Sequence, residues 1–314
     1  MQTAEVEVLL MAPLLPSLTQ ALERKFKIHK FWLVADRAGF LREHGNAIRG
    51  MVTLAPAIVD EELLASLPRL EIIARFGVGL DAVDVETARR RGIIITNTPR
   101  VLDDCVADMA LALMLAVSRR LCEADRFVRA GEWLGRKFPL ATKVSGKKCG
   151  IAGLGNIGEA IAVRARGFDM KICYHNRRCK PGSPYLYYDN LAAMARAVDY
   201  LVLAVPGGDE TYHMIDAPIL SALGPHGFLI NVARGSVVDQ AALIEALKSG
   251  TIAGAGLDVF EGEPNVPAEL RQMENVVMMP HVASGTNETR EAMGQLVLAN
   301  LEAHFAGKPA LTPV

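Results

Sequence analysis

A glycine-rich stretch at residues 150–158, which reads Gly-Ile-Ala-Gly-Leu-Gly-Asn-Ile-Gly, constrains the fold of this chain more than any other feature. It holds a GxGxxG motif between an apolar run that predicts a strand and a helical pattern over Ile157–Phe168. We expect Gly153 to permit a tight turn, Gly155 to let a pyrophosphate approach the backbone, and Gly158 to let helix pack on strand. Three glycines could also form an ordinary turn, but this context favours a dinucleotide site at the helix N-terminus. The predicted contacts are Gly153, Leu154, Gly155, Asn156, Ile157 and Gly158.

The strand after this helix ends on Asn176-Arg177-Arg178, at the position that sets the choice between NAD(H) and NADP(H). An NAD site usually carries an acid there, about 20 residues beyond the glycines, which binds the ribose 2′-hydroxyl. Two guanidinium groups can instead hold a 2′-phosphate through charge-assisted hydrogen bonds. Asn176, Arg177 and Arg178 therefore predict NADP(H) as the preferred cofactor and NAD(H) as the weaker one. The alternative is that the arginines form only a solvated turn.

Short β-branched runs alternate with helical stretches along the rest of the chain, a pattern typical of parallel α/β sheets. The 314 residues exceed the size at which one core usually stops growing, so we expect two domains. Pro99 disfavours helix at Thr98 and breaks the pattern, and a second βα series runs from Lys148 to about Pro280. The predicted strands of the first part are Val6–Leu10, Lys27–Phe31, Ile48–Val52, Ile72–Ala74 and Ile93–Thr96. The predicted helices include Ser17–Lys25, Glu61–Leu67, a long helix over Leu102–Ala130, and Glu288–Phe305.

Composition excludes several classes of protein. Thirty-four Lys and Arg against 35 Asp and Glu give a net charge of −1, which argues against nucleic-acid and anionic membrane partners. The longest apolar run, Met109–Val117, is too short to span a bilayer, and the acidic N-terminus is unlike a signal peptide. Five cysteines without a CxxC pair argue against disulfides and a metal site. We therefore expect a cytoplasmic protein in a reducing compartment.

Three charged side chains in the second half each follow an apolar run that predicts a strand: Arg234, Glu263 and His281. Because the carboxyl ends of parallel strands lie at one edge of a sheet, we expect these side chains to converge on one crevice. A ketone that accepts hydride develops negative charge on oxygen, which a protonated His can neutralise. A nearby carboxylate favours that imidazolium, and an Arg can bind a substrate carboxylate as a fork. Each residue alone could be an ordinary surface group, but together, beside a nucleotide motif, they indicate a redox enzyme.

Four segments, taken in order, resemble the D-isomer-specific 2-hydroxyacid dehydrogenase family. They are GLGNIG at 153–158, NVARGSVVD at 231–239, GLDVFEGEP at 256–264 and MPHVASGT at 279–286. The resemblance covers essentially the whole chain, and it is greatest to NADPH-dependent glyoxylate/hydroxypyruvate reductases and plant-type hydroxyphenylpyruvate reductases. It implies two Rossmann-like doubly wound parallel-sheet domains. An NADP(H)-binding domain of residues 99–286 would be inserted in a smaller, flavodoxin-like substrate domain of residues 1–98 and 287–314.

The resemblance also implies individual roles. Arg234, Glu263 and His281 would be catalytic, with Arg234 and His281 also contacting substrate, while Val78 and Gly79 would offer N–H groups to the substrate carboxylate. Asp258 would hold the nicotinamide carboxamide, and Asp108 would lie on a loop that covers the cofactor. The remaining cofactor contacts would be Val205, Pro206, Val232 and Ala233.

The predicted activity is NADPH-dependent reduction of 2-oxoacids, such as glyoxylate, hydroxypyruvate and phenylpyruvate-type acids, to (R)-2-hydroxyacids. A dinucleotide-sensing binding protein, like the transcriptional corepressors of this fold, is the alternative, although those prefer NAD(H). The family is usually dimeric, and the all-apolar circumference of Met109–Val117 agrees with two buried faces. A helix buried within its own domain would give the same pattern, so both readings of that helix stay open.

Overall fold

The structure, a computed structural model, describes residues 5–314 and divides them into two compact units. One unit contains the described residues up to Leu102 together with Gly285–Val314, and the other contains Asp103–Ser284. The boundaries lie a few residues from the predicted ones at 98/99 and 286/287. Thr98 and Pro99 lie outside any helix, as predicted, and the first helix of the second unit begins at Asp103.

Both units are built on parallel sheets, which confirms the predicted fold class. The first sheet contains β1 (Glu7–Leu10), β2 (Lys27–Lys30), β3 (Ile48–Thr53), β4 (Ile72–Arg75) and β5 (Ile94–Thr96), in the order β2-β1-β3-β4-β5. The second contains β6 (Lys148–Ala152), β7 (Lys171–His175), β8 (Leu186–Tyr188), β9 (Tyr200–Leu203), β10 (Phe228–Asn231), β11 (Gly254–Leu257) and β12 (Val276–Met278). Its order is β12-β11-β10-β9-β6-β7-β8, so the chain reverses direction across the sheet at β6 and β9. Ligands bind at such a reversal in open parallel sheets.

Helices alternate with these strands and cover their apolar side chains. They are α1 (Pro16–Glu23), α2 (Arg37–His44), α3 (Glu61–Ala65), α4 (Val85–Arg90), α5 (Asp103–Ser118), α6 (Leu121–Arg129), α7 (Asn156–Arg166), α8 (Leu191–Ala197), α9 (Ala217–Leu223), α10 (Gln240–Lys248), α11 (Ala268–Gln272) and α12 (Asn287–Phe305). Within residues 5–314, no helix combines the length and the apolar character that crossing a bilayer requires.

The predicted long helix over Leu102–Ala130 is wrong, because the chain forms two helices, α5 and α6. The Ser118 hydroxyl bonds back to the Met114 carbonyl at 2.6 Å, a contact that competes with regular helix bonding. Arg120 then adopts a left-handed conformation with φ of 53°, which ends α5 and redirects the chain. Most of the apolar circumference of α5 packs inside its own unit, against α7 and β11. The apolar pattern of Met109–Val117 is therefore explained by burial within the domain.

The C-terminal segment belongs to the first unit and is fixed there by a charged network. Arg49 on β3 donates to both oxygens of Glu71, at 2.6 and 3.1 Å, and His304 on α12 lies 3.1 Å from the same carboxylate. The hydrogen bond from Arg49, aided by His304, holds the pKa of Glu71 below its ordinary value although burial opposes this. Asn300 is fully buried, and its side-chain oxygen accepts from the N–H of Leu311. The last helix thus completes the domain that the first hundred residues begin.

Candidate active site

The three predicted catalytic residues lie on neighbouring loops at the carboxyl edge of the second sheet. Arg234 follows β10, Glu263 follows β11 and His281 follows β12, and these three strands are adjacent and parallel. The Nδ1 atom of His281 lies 2.7 Å from an oxygen of Glu263, a hydrogen-bond distance. The positive charge of Arg234 also acts on the Glu263 carboxylate. The structure thus places His281 in contact with Glu263, with Arg234 on the adjacent loop.

Glu263 is held as an anion that faces His281. Partial burial alone would raise the pKa of this carboxyl, but the hydrogen bond from His281, the N–H of Phe260 and the charge of Arg234 outweigh burial. The pKa of Glu263 therefore lies below its ordinary value. The Phe260 N–H donates to Oε1 of Glu263 at 2.9 Å, and Oε2 faces the imidazole of His281.

His281 is held in an unusual backbone conformation. Its φ is 53°, in the left-handed region that non-glycine residues rarely adopt. Its N–H donates to the Asp258 carbonyl at 2.8 Å, and the Asp258 carboxylate accepts from the N–H groups of Val282 and Ala283 at 2.8 and 2.9 Å. Burial raises the pKa of Asp258, although those two N–H groups oppose the shift. Asp258 therefore fixes the loop that presents the imidazole, and its predicted contact with nicotinamide stays a prediction.

The loop that carries Arg234 is braced by a buried amide and by close contact with its neighbour. Asn231 accepts from the N–H of Ala233 at 3.0 Å and donates to the Arg234 carbonyl at 2.9 Å. A Cβ at Gly235 would lie 1.9 Å from the backbone carbon of Phe260, so only glycine fits there. The Arg234 loop and the Glu263 loop are thus packed directly against each other.

The glycine loop has the predicted shape. Gly153 has φ of 99°, and a Cβ there would lie 2.6 Å from the Ala204 carbonyl oxygen, beside the end of β9. A Cβ at Gly158 would lie 2.1 Å from the Gly153 carbonyl oxygen, so this glycine allows α7 to approach β6. A Cβ at Gly155 would meet no atom within 4 Å, and α7 begins there without a side-chain cap. An open glycine beside uncapped helix N–H groups fits the pyrophosphate of a dinucleotide.

The end of β7 is tied to this loop. The side-chain oxygen of Asn176 accepts from the Leu154 N–H at 2.7 Å. Arg177 and Arg178 are exposed, and Arg177 forms an ion pair with Glu210 on the loop after β9. The segment predicted to choose between NAD(H) and NADP(H) is thus bonded to the glycine loop and ends in two exposed cations.

Comparison with known proteins agrees with this arrangement. Residues 111–283 match the model of the D-isomer specific 2-hydroxyacid dehydrogenase, NAD binding domain. The chain belongs to the D-isomer specific 2-hydroxyacid dehydrogenase family. It is 49% identical to the glyoxylate/hydroxypyruvate reductase A of Arabidopsis thaliana and to the hydroxyphenylpyruvate reductase of Plectranthus scutellarioides, over 98% of this chain and 99% of each relative. The NADPH-dependent glyoxylate/hydroxypyruvate reductase of Sinorhizobium meliloti, solved with NADP and malonate, aligns with a TM-score of 0.92 and 43% identity, over 99% and 97% of the two chains.

The other residues that the family resemblance implied lie at strand ends. Val205 and Pro206 follow β9 next to the glycine loop, while Val232 and Ala233 follow β10. In the first unit, Val78 and Gly79 follow β4, and their carbonyls accept from side chains, Asn97 at 3.0 Å and Arg75 at 3.2 Å. These bonds set the orientation of the peptide groups in the predicted carboxylate-binding loop.

The prediction for Asp108 is wrong. Asp108 lies inside α5, not on a loop, and its carboxylate pairs with Arg164 of α7. Arg164 lies about 12 Å along α7 from Asn156, at 1.5 Å per residue, and so is far from the glycine loop. The loop placement came from the family resemblance, whereas the helical pattern already placed Asp108 inside the predicted helix over Leu102–Ala130. Asp104 and Asp108 share one helical face toward Arg164.

Lys180 was not predicted as a site residue but lies beside the glycine loop. Its Nζ contacts Glu159 on α7 at 2.6 Å and the Leu154 carbonyl at 3.5 Å. The available signal was a third cation two residues after the Arg177-Arg178 pair. The chain bends at Arg177 and Arg178 before Lys180, whose N–H donates to the phenol of Tyr174 at 2.9 Å.

Proposed function

We propose that this protein reduces 2-oxoacids to (R)-2-hydroxyacids with NADPH. The observation that carries the proposal is the 2.7 Å contact between His281 and Glu263, on the same sheet edge as a glycine loop that fits a dinucleotide. The names of the relatives, which are glyoxylate, hydroxypyruvate and hydroxyphenylpyruvate reductases, support the substrate class.

The chain's own residues supply the proton and the substrate anchors. The bound nicotinamide would deliver hydride to the carbonyl carbon. Because Nδ1 of His281 is bonded to Glu263, the opposite nitrogen, Nε2, is the one that donates a proton to the carbonyl oxygen. Glu263 keeps the ring oriented and favours its protonated form. Arg234 binds the substrate carboxylate and polarises the adjacent carbonyl.

A direct assay tests the proposed activity. We expect oxidation of NADPH with glyoxylate, hydroxypyruvate and phenylpyruvate, slower turnover with NADH, and chiral products of R configuration. A dinucleotide-sensing protein would instead bind NAD(H) tightly and turn over none of these acids. Tight binding of either dinucleotide without turnover of any 2-oxoacid would contradict the proposal.

The choice of NADPH is a separate proposal, which rests on Arg177 and Arg178. A bound 2′-phosphate would replace the Glu210 carboxylate on Arg177, an exchange of one exposed anion for another. Removing both guanidiniums in the double variant Arg177→Ala/Arg178→Ala is expected to reduce the preference for NADPH over NADH about tenfold or more. Steady-state kinetics with both cofactors measures this ratio, and kcat/KM for NADH should stay near the wild-type value.

An unchanged ratio in that double variant would refute the two arginines as the 2′-phosphate site. The NADPH/NADH ratio of the double variant is compared with that of Lys180→Ala, which removes the next cation along the chain, one that lies against the glycine loop.

A homodimer is the state that we propose in solution. Exposed apolar side chains that lie together mark an interaction surface. Between α5 and β6 the exposed apolar side chains are Leu121, Val128, Trp133, Leu134 and Leu140. Leu134 is 98% exposed, and Leu134→Glu is expected to weaken the dimer at least about tenfold, because burying the new charge is unfavourable. Light scattering at micromolar concentration measures the mass, with Leu186→Glu on β8 as a control at another exposed leucine. A single-chain mass for the wild type would reject the dimer.

A further inference from the structure

A second His–Glu pair lies close to the first in the coenzyme unit. The Nε2 atom of His213, on the loop after β9, lies 3.0 Å from an oxygen of Glu261, and both side chains are about two-thirds buried. His213 has φ of 49°, a left-handed conformation, and the ring of Tyr212 stacks on it with 3.9 Å between centroids. A left-handed backbone at a partly buried His–Glu pair needs support from the surrounding structure, so it indicates a position with a specific role.

His213 joins the two loops that carry Arg234 and Glu263. Its backbone N–H donates to the Ser236 carbonyl at 2.8 Å, two residues after Arg234. Its ring contacts Glu261, two residues before Glu263. The imidazole therefore spans the same pair of loops that Gly235 and Phe260 bring into contact.

Glu261 is also clamped from α10. The Glu261 N–H donates to the side-chain oxygen of Gln240 at 3.2 Å, and the amide of Gln240 donates back to the Glu261 carbonyl at 3.4 Å. Because His213 contacts the Glu261 carboxylate, Glu261 is held at its N–H, its carbonyl and its side chain. The turn from Phe260 to Glu263 is then closed by the bond from the Phe260 N–H to the Glu263 carboxylate.

We propose that His213 is a positioning residue, which through Glu261 holds the 260–264 turn so that the Glu263 carboxylate stays on His281. The expected effect on kcat rests on the proposed function. The charged groups that act on Glu263 are His281 and Arg234, and Asp258 also faces His281. When the turn loosens, Glu263 contacts the imidazole for less of the time and favours its protonated form less.

His213→Asn tests the proposal, because Asn tolerates the left-handed backbone but is too short to replace the imidazole contact. Titration of the Glu263 carboxyl by carbon-13 NMR is expected to show its pKa rising toward the ordinary value, since the hydrogen bond from His281 is partly lost. We expect the alkaline fall in kcat to move about half a pH unit to lower pH, and kcat at alkaline pH therefore to drop about threefold. The KM for NADPH should not change.

His29→Asn is the matched control. It removes the contact between His29 and Glu7, which lie 2.6 Å apart in the sheet of the other unit. The Glu263 titration and the pH profile should both stay unchanged in this variant. Glu261→Gln provides a second variant with the same expected shifts, should His213→Asn fail to fold.

A folded variant with wild-type titration of Glu263 would overturn the positioning role. If the pKa of Glu263 rises in the variant while the wild type reduces no 2-oxoacid, the positioning role stands and the proposed function fails. If the wild type is active and neither the titration nor the pH profile moves in either variant, the proposed function stands and the positioning role fails.

Discussion

His281→Asn is expected to lower kcat for 2-oxoacid reduction by about 10²–10⁴-fold, while the affinity for NADPH stays close to that of the wild type. The substitution removes the proton donor, but the glycine loop and the residues after β7 are untouched. Single-turnover kinetics with glyoxylate, together with a fluorescence titration of NADPH, separates the two effects. A variant that keeps most of its turnover would show that the proton comes from another group.

Glu263→Gln gives the matching test of the pair. Reduction is expected to weaken as pH rises, because a deprotonated imidazole has no proton to give. The neutral amide no longer favours the imidazolium, so the fall in the rate of reduction should move to lower pH. Identical pH profiles for wild type and variant would refute the pairing.

The pairing also affects the stability of the fold. The folded-state pKa of Glu263 is lowered, so its contribution to the free energy of unfolding is complete above the ordinary carboxyl pKa and is lost as pH falls through the lowered value.

Gly155→Ala is expected to weaken NADPH binding by about 100-fold or more, equivalent to about 2.7 kcal/mol, without lowering the Tm. The new methyl group would meet no protein atom within 4 Å, but it would occupy the space through which a pyrophosphate reaches the backbone. Gly158→Ala is the opposite case, because its Cβ would lie 2.1 Å from the Gly153 carbonyl and would push α7 off the sheet. Its Tm should therefore fall, since overpacking typically destabilises by about 1–3 kcal/mol.

Thermal unfolding and a binding titration on both glycine variants measure this contrast. Wild-type NADPH affinity in Gly155→Ala would mean that the pyrophosphate does not approach the loop at this residue. An unchanged Tm in Gly158→Ala would mean that α7 can retreat from β6 without loss.

Much of the fold and of the candidate site was readable from local signals. Parallel strands carry their signal in short β-branched runs, and a charged residue directly after such a run, as with Arg234 and His281, must lie at the carboxyl edge. The contact between His281 and Glu263 follows from the neighbouring positions of β11 and β12.

The parts that sequence did not predict depend on contacts between distant residues. The break between α5 and α6 follows Ser118, whose hydroxyl contacts the Tyr200 phenol at 2.8 Å, a partner 82 residues away. The pairing of Asp108 with Arg164 joins residues 56 apart in the chain, and the loop that the family resemblance implied for Asp108 gave no sign of it. Lys180 and His213 were missed because single basic residues in loops carry no periodic signal.

The return of the last helix to the first sheet has a consequence for synthesis on the ribosome. His304 contacts Glu71 across 233 residues of chain, so the first domain lacks one of its packing surfaces until α12 has been synthesised. The inserted domain, Asp103–Ser284, is complete earlier and can fold while the opening segment waits. At about 5–20 residues per second, that wait is on the order of ten seconds or more. During this interval the apolar face of β4, which α12 later covers, is available to chaperones and to neighbouring nascent chains.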